Sequence, residues 1–224
     1  MAVQTPSVQA IAIKPSYLQM KRAFDIIFTL LLLIPLLFVM AIVAILIRFD
    51  SKGPILFRQK RLGLNGREFT IFKFRSMYVN SDDSLHRNAI VHYMNGKKLR
   101  DEAVTNNSYK LGDDPRITRV GEFIRKTSID ELPQFFNVLR GEMTLVGPRP
   151  PLAYEVEYYT PRDWLRLSGK PGLTGLWQVH GRSQVPFRDM VEMDITYLQR
   201  QSFWEDLKLI ASTPIVMIFG RGGA

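Results

Sequence analysis

From Ile26 to Ile47 the chain reads IIFTLLLLIPLLFVMAIVAILI, twenty-two positions without a charge. About 20 apolar residues are enough to cross a bilayer as a helix. The apolar core of a secretory signal is shorter, roughly 7–15 residues, and ends at a small-residue cleavage site. The run therefore predicts a retained membrane helix rather than a leader or a buried core helix. Pro35 sits near its centre, where it removes one backbone bond and crowds the preceding turn, so a kink is expected there. Lys14, Lys21 and Arg22 precede the run; Arg48, Lys52, Arg58, Lys60 and Arg61 follow it. Positive charge favours the cytoplasmic side of a membrane segment. A helix that enters, breaks at Pro35 and leaves by the same face keeps both basic flanks there, whereas a straight span strands one outside.

After Gly53-Pro54 the pattern changes to β-favouring runs on either side of Asn65-Gly66, in ILFRQKRLGLNGREFTIFKFRSM, which predicts a hairpin. Val79 to Asp114 is polar and poorly periodic, suited to a helix or two and a variable loop around TNNSYKLGDDPR. Helical spacing returns in ITRVGEFIRKT, from about Asp130 to Leu139, from Leu152 to Leu167, from Pro186 to Arg200 and from Phe203 to Phe219. VGPRPP reads as a turn, and KPGLTGLWQVHGRS as a Gly-rich, strand-like piece. The class expected is α/β, mostly α with a small β-hairpin or sheet. Three regions follow: an N-terminus over residues 1–20, mobile or amphipathic; a re-entrant membrane hairpin over 21–48; and a membrane-associated domain over 49–224. The last helix is too short in its apolar part, LIASTPIVMIF, to span. Together with Trp164, Trp177 and Trp204, it is suited either to the headgroup layer or to ordinary core packing.

Composition narrows the chemistry. Cysteine is absent, which removes disulfides, thiolate metal sites and a cysteine nucleophile. His86, His92 and His180 have no metal-ligand spacing. The net charge of +9 suits polyanionic partners, whether nucleic acid, acidic lipid or phosphorylated substrate. The membrane run argues against nucleic acid and for anionic membrane lipids.

Five adjacent acid pairs occur, at Asp82-Asp83, Asp101-Glu102, Asp113-Asp114, Asp130-Glu131 and Glu205-Asp206, so a doublet alone says little. The fourth lies in TSIDELPQFF, where Ser128 and Glu131 have capping-box spacing and Pro133 fits a first helical turn. An alternative start puts Asp130 itself at the cap. On these residues alone the structural reading is favoured. The functional reading rests on position: a helix N-terminus keeps a carboxylate ionised and attracts phosphate. Arg125, Lys126, Arg140 and Arg149 lie close in sequence, and arginine's fork fits phosphate oxygens. A carboxylate and a diphosphate repel each other, so this arrangement calls for a bridging Mg2+.

KRAFDIIFTLLLLIPLLFVMAI, FRQKRLGLNGREFTIFKFRSM, RKTSIDELPQFFNVLRGEMTLVGPRP, KPGLTGLWQVHGRS and YLQRQSFWEDLKLIAST, in this order, closely resemble the bacterial sugar transferases, the monotopic polyprenol-phosphate phosphoglycosyl transferases. The resemblance runs from about Lys21 to Thr213 and is loosest over Ser81 to Leu111; Ile34-Pro35 departs from the Ser-Pro of some relatives. It covers the catalytic core and not the multi-span module of larger members. It implies a monotopic fold with a re-entrant helix and interfacial helices, at the cytoplasmic face of the bacterial inner membrane. The implied reaction is transfer of a sugar phosphate from a UDP-sugar to undecaprenyl phosphate with release of UMP, the first membrane step of exopolysaccharide, O-antigen or S-layer glycan assembly. Asp130 would be the nucleophile that carries the phosphosugar, with Mg2+ at Asp130 and Glu131. Glu131 would place the metal or take the acceptor's proton. Arg125, Arg149 and Arg182, with Lys73 and Arg75 of FKFRSM, would surround the phosphates. Asp194 and Glu192 also match acidic family positions, where a structural role is equally open. The ending GLWQVHGRS resembles that of members acting on hexoses, glucose or galactose. Some larger relatives dimerise, which leaves a homodimer among the expectations. The competing reading is an inactive membrane-anchored scaffold in a polysaccharide assembly complex.

Overall fold

In the computed structural model, which describes residues 11–79, 90, 91, 93, 94, 114–181 and 185–219, the apolar run belongs to one helix of 36 residues, α1 (Pro15–Asp50). At 1.5 Å per residue this is about 54 Å of helix. It begins with a proline in its first turn, inside the segment expected to form a separate N-terminus, and it passes through Pro35 as a single element. The predicted break is therefore not a break in helical structure. By length and composition α1 can cross a membrane. Its buried positions, Lys21, Asp25, Thr29, Leu33, Met40, Val43 and Ile47, follow helical spacing and form one stripe. The other face exposes Ile27, Leu31, Ile34, Phe38, Ile45 and Phe49.

Both ends of α1 are tied to the same body. Near the start, Lys21 Nζ donates to Asp206 at 2.6 Å, and Arg22 donates to the carbonyls of Val138 and Leu139 at 2.6 and 2.8 Å. Asp25 accepts from Thr144 Oγ1 at 2.6 Å and from the Leu145 amide at 3.1 Å. At the far end, Asp50 accepts from the Val120 amide at 3.2 Å, and the Arg75 guanidinium donates to Ser51 O and Oγ at 2.7 and 2.8 Å.

The hairpin forms as the Asn-Gly signal predicts. β1 (Leu56–Leu62) pairs antiparallel with β2 (Glu68–Phe74), Leu62 facing Glu68, and Asn65 and Gly66 both take positive φ at 55° and 72°. α2 (Arg119–Lys126) is capped by Thr118, whose Oγ1 accepts from the Gly121 amide at 2.9 Å. A 3-10 turn, Ile129–Gln134, then leads into α3 (Phe135–Arg140), which Gly141 ends at φ 77°. Two short strands pair in parallel: β3 (Thr144–Val146), which the pattern does not announce, and β4 (Gly172–Thr174), which lies in the piece read as strand-like. LWQVH, expected to be strand-like, forms a short helix, α4 (Leu176–His180).

The helix expected from Leu152 to Leu167 is replaced by two 3-10 turns, Val156–Tyr158 and Asp163–Ser168. Pro161 separates them, because it disfavours helical backbone at Thr160. α5 (Phe187–Arg200) and α6 (Phe203–Phe219) lie where periodicity puts them. α6 buries Asp206 and Leu209 and turns Trp204 and Ile215 outward, so it joins core packing to an exposed apolar face. Trp177 is a core residue, packed with Phe187, Met190, Val191 and Ile195, and does not extend that face. Residues 1–10 of the N-terminal segment expected over 1–20, nearly all of the polar stretch from Val79 to Asp114, and Arg182 lie outside the described residues.

Candidate active site

One large cleft of about 2380 Å³ runs from the dyad turn to the inner faces of α1 and α6. Asp130, Glu131, Lys73, Arg75, Arg125 and Arg149 all line it, so the structure brings together five of the expected site residues beside Asp130. Pro35 does not line it. The other arm of the cleft is apolar: Phe28, Leu32 and Leu36 from α1 face Ile210, Pro214 and Met217 from α6. Positions 28, 32 and 36 share one helix face by their i, i+4 spacing, but in a run without a charge nothing in the sequence marks that face over the others.

The dyad sits on a tight turn rather than at the start of a long helix. Ser128 adopts the left-handed conformation at φ 55° and makes no side-chain cap; only its carbonyl accepts, from the Glu131 amide at 3.2 Å. The capping box is not formed, and α3, six residues long, starts only at Phe135. A non-glycine residue at positive φ costs on the order of 1 kcal/mol. That cost falls two residues before Asp130.

The two acids meet different surroundings. Asp130 is 5% exposed and its Oδ1 has no hydrogen-bond partner. Burial pushes its carboxyl up to about 6; Lys73 and Arg125 pull it down, and the Glu131 charge adds to the rise. The expectation that a helix end keeps this acid readily ionised is thus corrected: desolvation outweighs the local positive charge. Burial acts upward on Glu131 too, but its ion pair with Lys73, at 2.7 Å, together with Arg149 and Arg61, leaves it below the usual carboxylate range. One acid is firmly ionised and paired; its neighbour is poised near neutrality. That separation is the mark of a pair with divided roles.

The basic groups also divide. Lys73 reaches the dyad from β2. Arg125, in the last turn of α2, acts on Asp130 through its charge. Arg149 lies 3.5 Å from the buried carboxylate of Glu155. Arg75, two positions beyond Lys73, spends one nitrogen on Ser51 and so clasps the end of α1, while its Nε and Nη1 are buried without partners. Sequence reasoning passed over Arg61, which also lines the cleft and donates to Pro150 O at 3.0 Å. It was read only as part of the basic flank. Glu192 forms an exposed pair with Arg162, whereas Asp194 is buried against Arg166. The glycines of GLTG meet backbone: a Cβ on Gly172 would lie 2.0 Å from Gly147 N. Their role is close packing of β3 on β4, with Leu173 and Thr174 contributing to the cleft wall.

The bacterial sugar transferase pattern matches residues 16–220, nearly the whole chain. The chain belongs to the bacterial sugar transferases. Among its relatives, the galactosyl transferase CpsE of Streptococcus agalactiae serotype III is 45% identical over 93% of this chain and 44% of its own length. The exopolysaccharide production protein ExoY of Sinorhizobium fredii is 39% identical over 94% of this chain and 91% of its own. The undecaprenyl-phosphate galactose phosphotransferase of Salmonella typhimurium is 40% identical over 92% of this chain and 41% of its own. This sugar transferase chain thus spans less than half of CpsE and of the Salmonella protein, and nearly all of ExoY.

Proposed function

We propose that this sugar transferase moves a hexose 1-phosphate, galactose or glucose, from a UDP-sugar to undecaprenyl phosphate. The carrying observation is the cleft itself: a buried, unpartnered carboxylate oxygen of Asp130 at its polar end, with Lys73, Arg125 and Arg149, and an apolar arm between α1 and α6. A lipid phosphate needs both ends; a soluble acceptor needs only one. The names of the Streptococcus and Salmonella relatives support a galactose donor, and the latter names the lipid acceptor.

In the first step an Asp130 oxygen attacks the phosphorus bound to the sugar. The bond from that phosphorus to the bridging oxygen breaks, and UMP leaves with the electron pair. In the second step an oxygen of the lipid phosphate attacks the same phosphorus, the phosphorus–Asp130 bond breaks, and the carboxylate is restored. Splitting a displacement this way makes each half easier. Lys73, Arg125 and Arg149 offset charge on the phosphate oxygens. Glu131 takes the acceptor's proton or helps hold a metal. Among the described residues no three His, Cys, Asp or Glu side chains converge, but Mg2+ typically takes one or two carboxylates and completes its shell with water and substrate phosphates. Asp130 and Glu131 fit that donor set, and the ion would supply positive charge against the diphosphate.

Attachment of both ends of α1 to one body supports a re-entrant seat at the cytoplasmic face of the inner membrane. Its exposed apolar face supports immersion in lipid, with the basic surface toward anionic headgroups. The test mixes the purified protein with UDP-galactose or UDP-glucose, undecaprenyl phosphate and Mg2+. UMP release is expected, with a phosphohexose adduct at Asp130 by mass spectrometry when the acceptor is left out. No release from either donor, and none of the adduct, sinks the reading.

A further inference from the structure

Beside the cleft lies a set of buried charges that the two steps above do not use. Asp194 on α5 is 1% exposed, and Arg166 is fully buried. Arg166 Nη2 donates to Asp194 Oδ2 at 2.5 Å, and its Nη1 donates to the Tyr159 hydroxyl at 2.8 Å. The same pair takes hold of the main chain of Arg149. Arg166 Nη2 also donates to Arg149 O at 3.3 Å, and the Arg149 backbone helps hold the charge of the Asp194 carboxylate. The main chain of one cleft arginine thus lies against a single ion pair drawn from two elements. The next two residues are held from β1, by Arg61 on Pro150 O and by the Leu62 amide on Pro151 O, each at 3.0 Å.

Stability does not account for this pair. Desolvating two charges generally costs as much as their attraction returns, and an apolar pair of similar volume often does as well or better. Arg166 Nε is moreover left without a partner. What the pair does accomplish is geometric: it fixes the point from which the Arg149 guanidinium enters the cleft. A 1 Å error in such placement can slow a reaction by about 10²-fold.

We propose that Asp194 and Arg166 are positioning residues, which set the main chain of Arg149 and through it the guanidinium that meets the sugar diphosphate. The proposal rests on the reading of Arg149 as a ligand of the donor phosphates. The test is single-turnover UMP release from UDP-galactose or UDP-glucose by the full chain, without acceptor, with melting temperature followed in parallel. The double variant Arg166→Met/Asp194→Leu removes both members of the pair while filling the space with apolar groups. It is expected to melt near the unaltered protein and to release UMP on the order of 10²-fold more slowly. Arg149→Ala added to it should lower the rate by less than roughly threefold, because residues acting as one unit are not additive. Should the double variant fail to fold, Arg166→Lys serves, since it keeps a cation beside Asp194 but lacks the rigid planar fork that reaches Tyr159, Asp194 and Arg149 O together. Release at the original rate from a folded variant overturns the proposal, as does a full further loss on adding Arg149→Ala. If Arg149→Ala alone has no effect, the positioning role falls while the transferase reading stands. If the unaltered protein releases no UMP from either donor, the transferase reading itself falls.

Discussion

At position 130 the demands of folding and of reactivity oppose each other. Burial lifts this carboxyl from 3.8 to about 6, so between those pH values the folded chain holds a proton that the unfolded chain has released. Its contribution to stability therefore falls as pH rises from about 4 to about 6 and stays lost above that. Asp130→Asn removes the charge and should raise the melting point at about pH 7.5, by roughly 2–4 °C for each kcal/mol regained in a chain of this size. The gain should shrink towards pH 4, and the adduct should vanish. A variant that melts at or below the original at neutral pH contradicts the buried-charge account. The same carboxyl sets the pH dependence of UMP release, which should rise through about pH 6 as the nucleophilic form appears. Lys73 is the strongest of the charges that hold Asp130 down. Lys73→Met should accordingly move the midpoint up by roughly one unit or more. A pH–rate curve that stays in place, or moves to lower pH, would separate Lys73 from the nucleophile.

At the scale of elements, the parts legible in the sequence are those whose causes are local. Asn65-Gly66 supplies two positive φ angles and so announces the hairpin; the spacing of apolar residues from Phe187 to Leu198 announces α5. The parts that were not legible depend on partners far along the chain. GLT reads as strand-like and forms β4, but β3 is three residues long and its parallel pairing, Thr144 with Gly172 and Val146 with Thr174, has no local signal. Charges buried in pairs, such as Arg166 with Asp194, look in sequence like any surface charge. Lys73 and Glu131 are likewise brought together only by the packing of β2 on the dyad turn; the acid pair stood out in the sequence, but only family resemblance pointed to Lys73. The β3–β4 pairing also has a testable weak point. A methyl at position 172 would meet Gly147 N at 2.0 Å and Thr174 O at 2.4 Å, and backbone atoms cannot swing aside as a side chain can. Gly172→Ala should cost stability at the upper end of the roughly 1–3 kcal/mol range for overpacking. Thermal melts measure it; an unchanged melting point would mean that the two strands part more easily than their contact implies.

For the molecule as a whole, the decisive question is on which side of a membrane the two ends of α1 lie. The helix, at about 54 Å, exceeds the roughly 30 Å of a hydrocarbon core. Were it a straight span, Arg22 and Asp50 would stand on opposite faces. Yet Arg22 binds the last carbonyls of α3, and Asp50 binds the first turn of α2. Both helices belong to the body that carries the dyad, and a body rich in buried charge does not thread a bilayer to reach both ends of its own helix. The chain has no cysteine, so single cysteines report position without background. Gln19→Cys and Lys52→Cys place one thiol before the apolar run and one after it, both at exposed positions. With a membrane-impermeant maleimide on intact spheroplasts, neither thiol should react; after permeabilisation both should. Labelling of one position alone in intact spheroplasts would mean that α1 crosses, and that the contacts at its two ends do not hold together in the membrane.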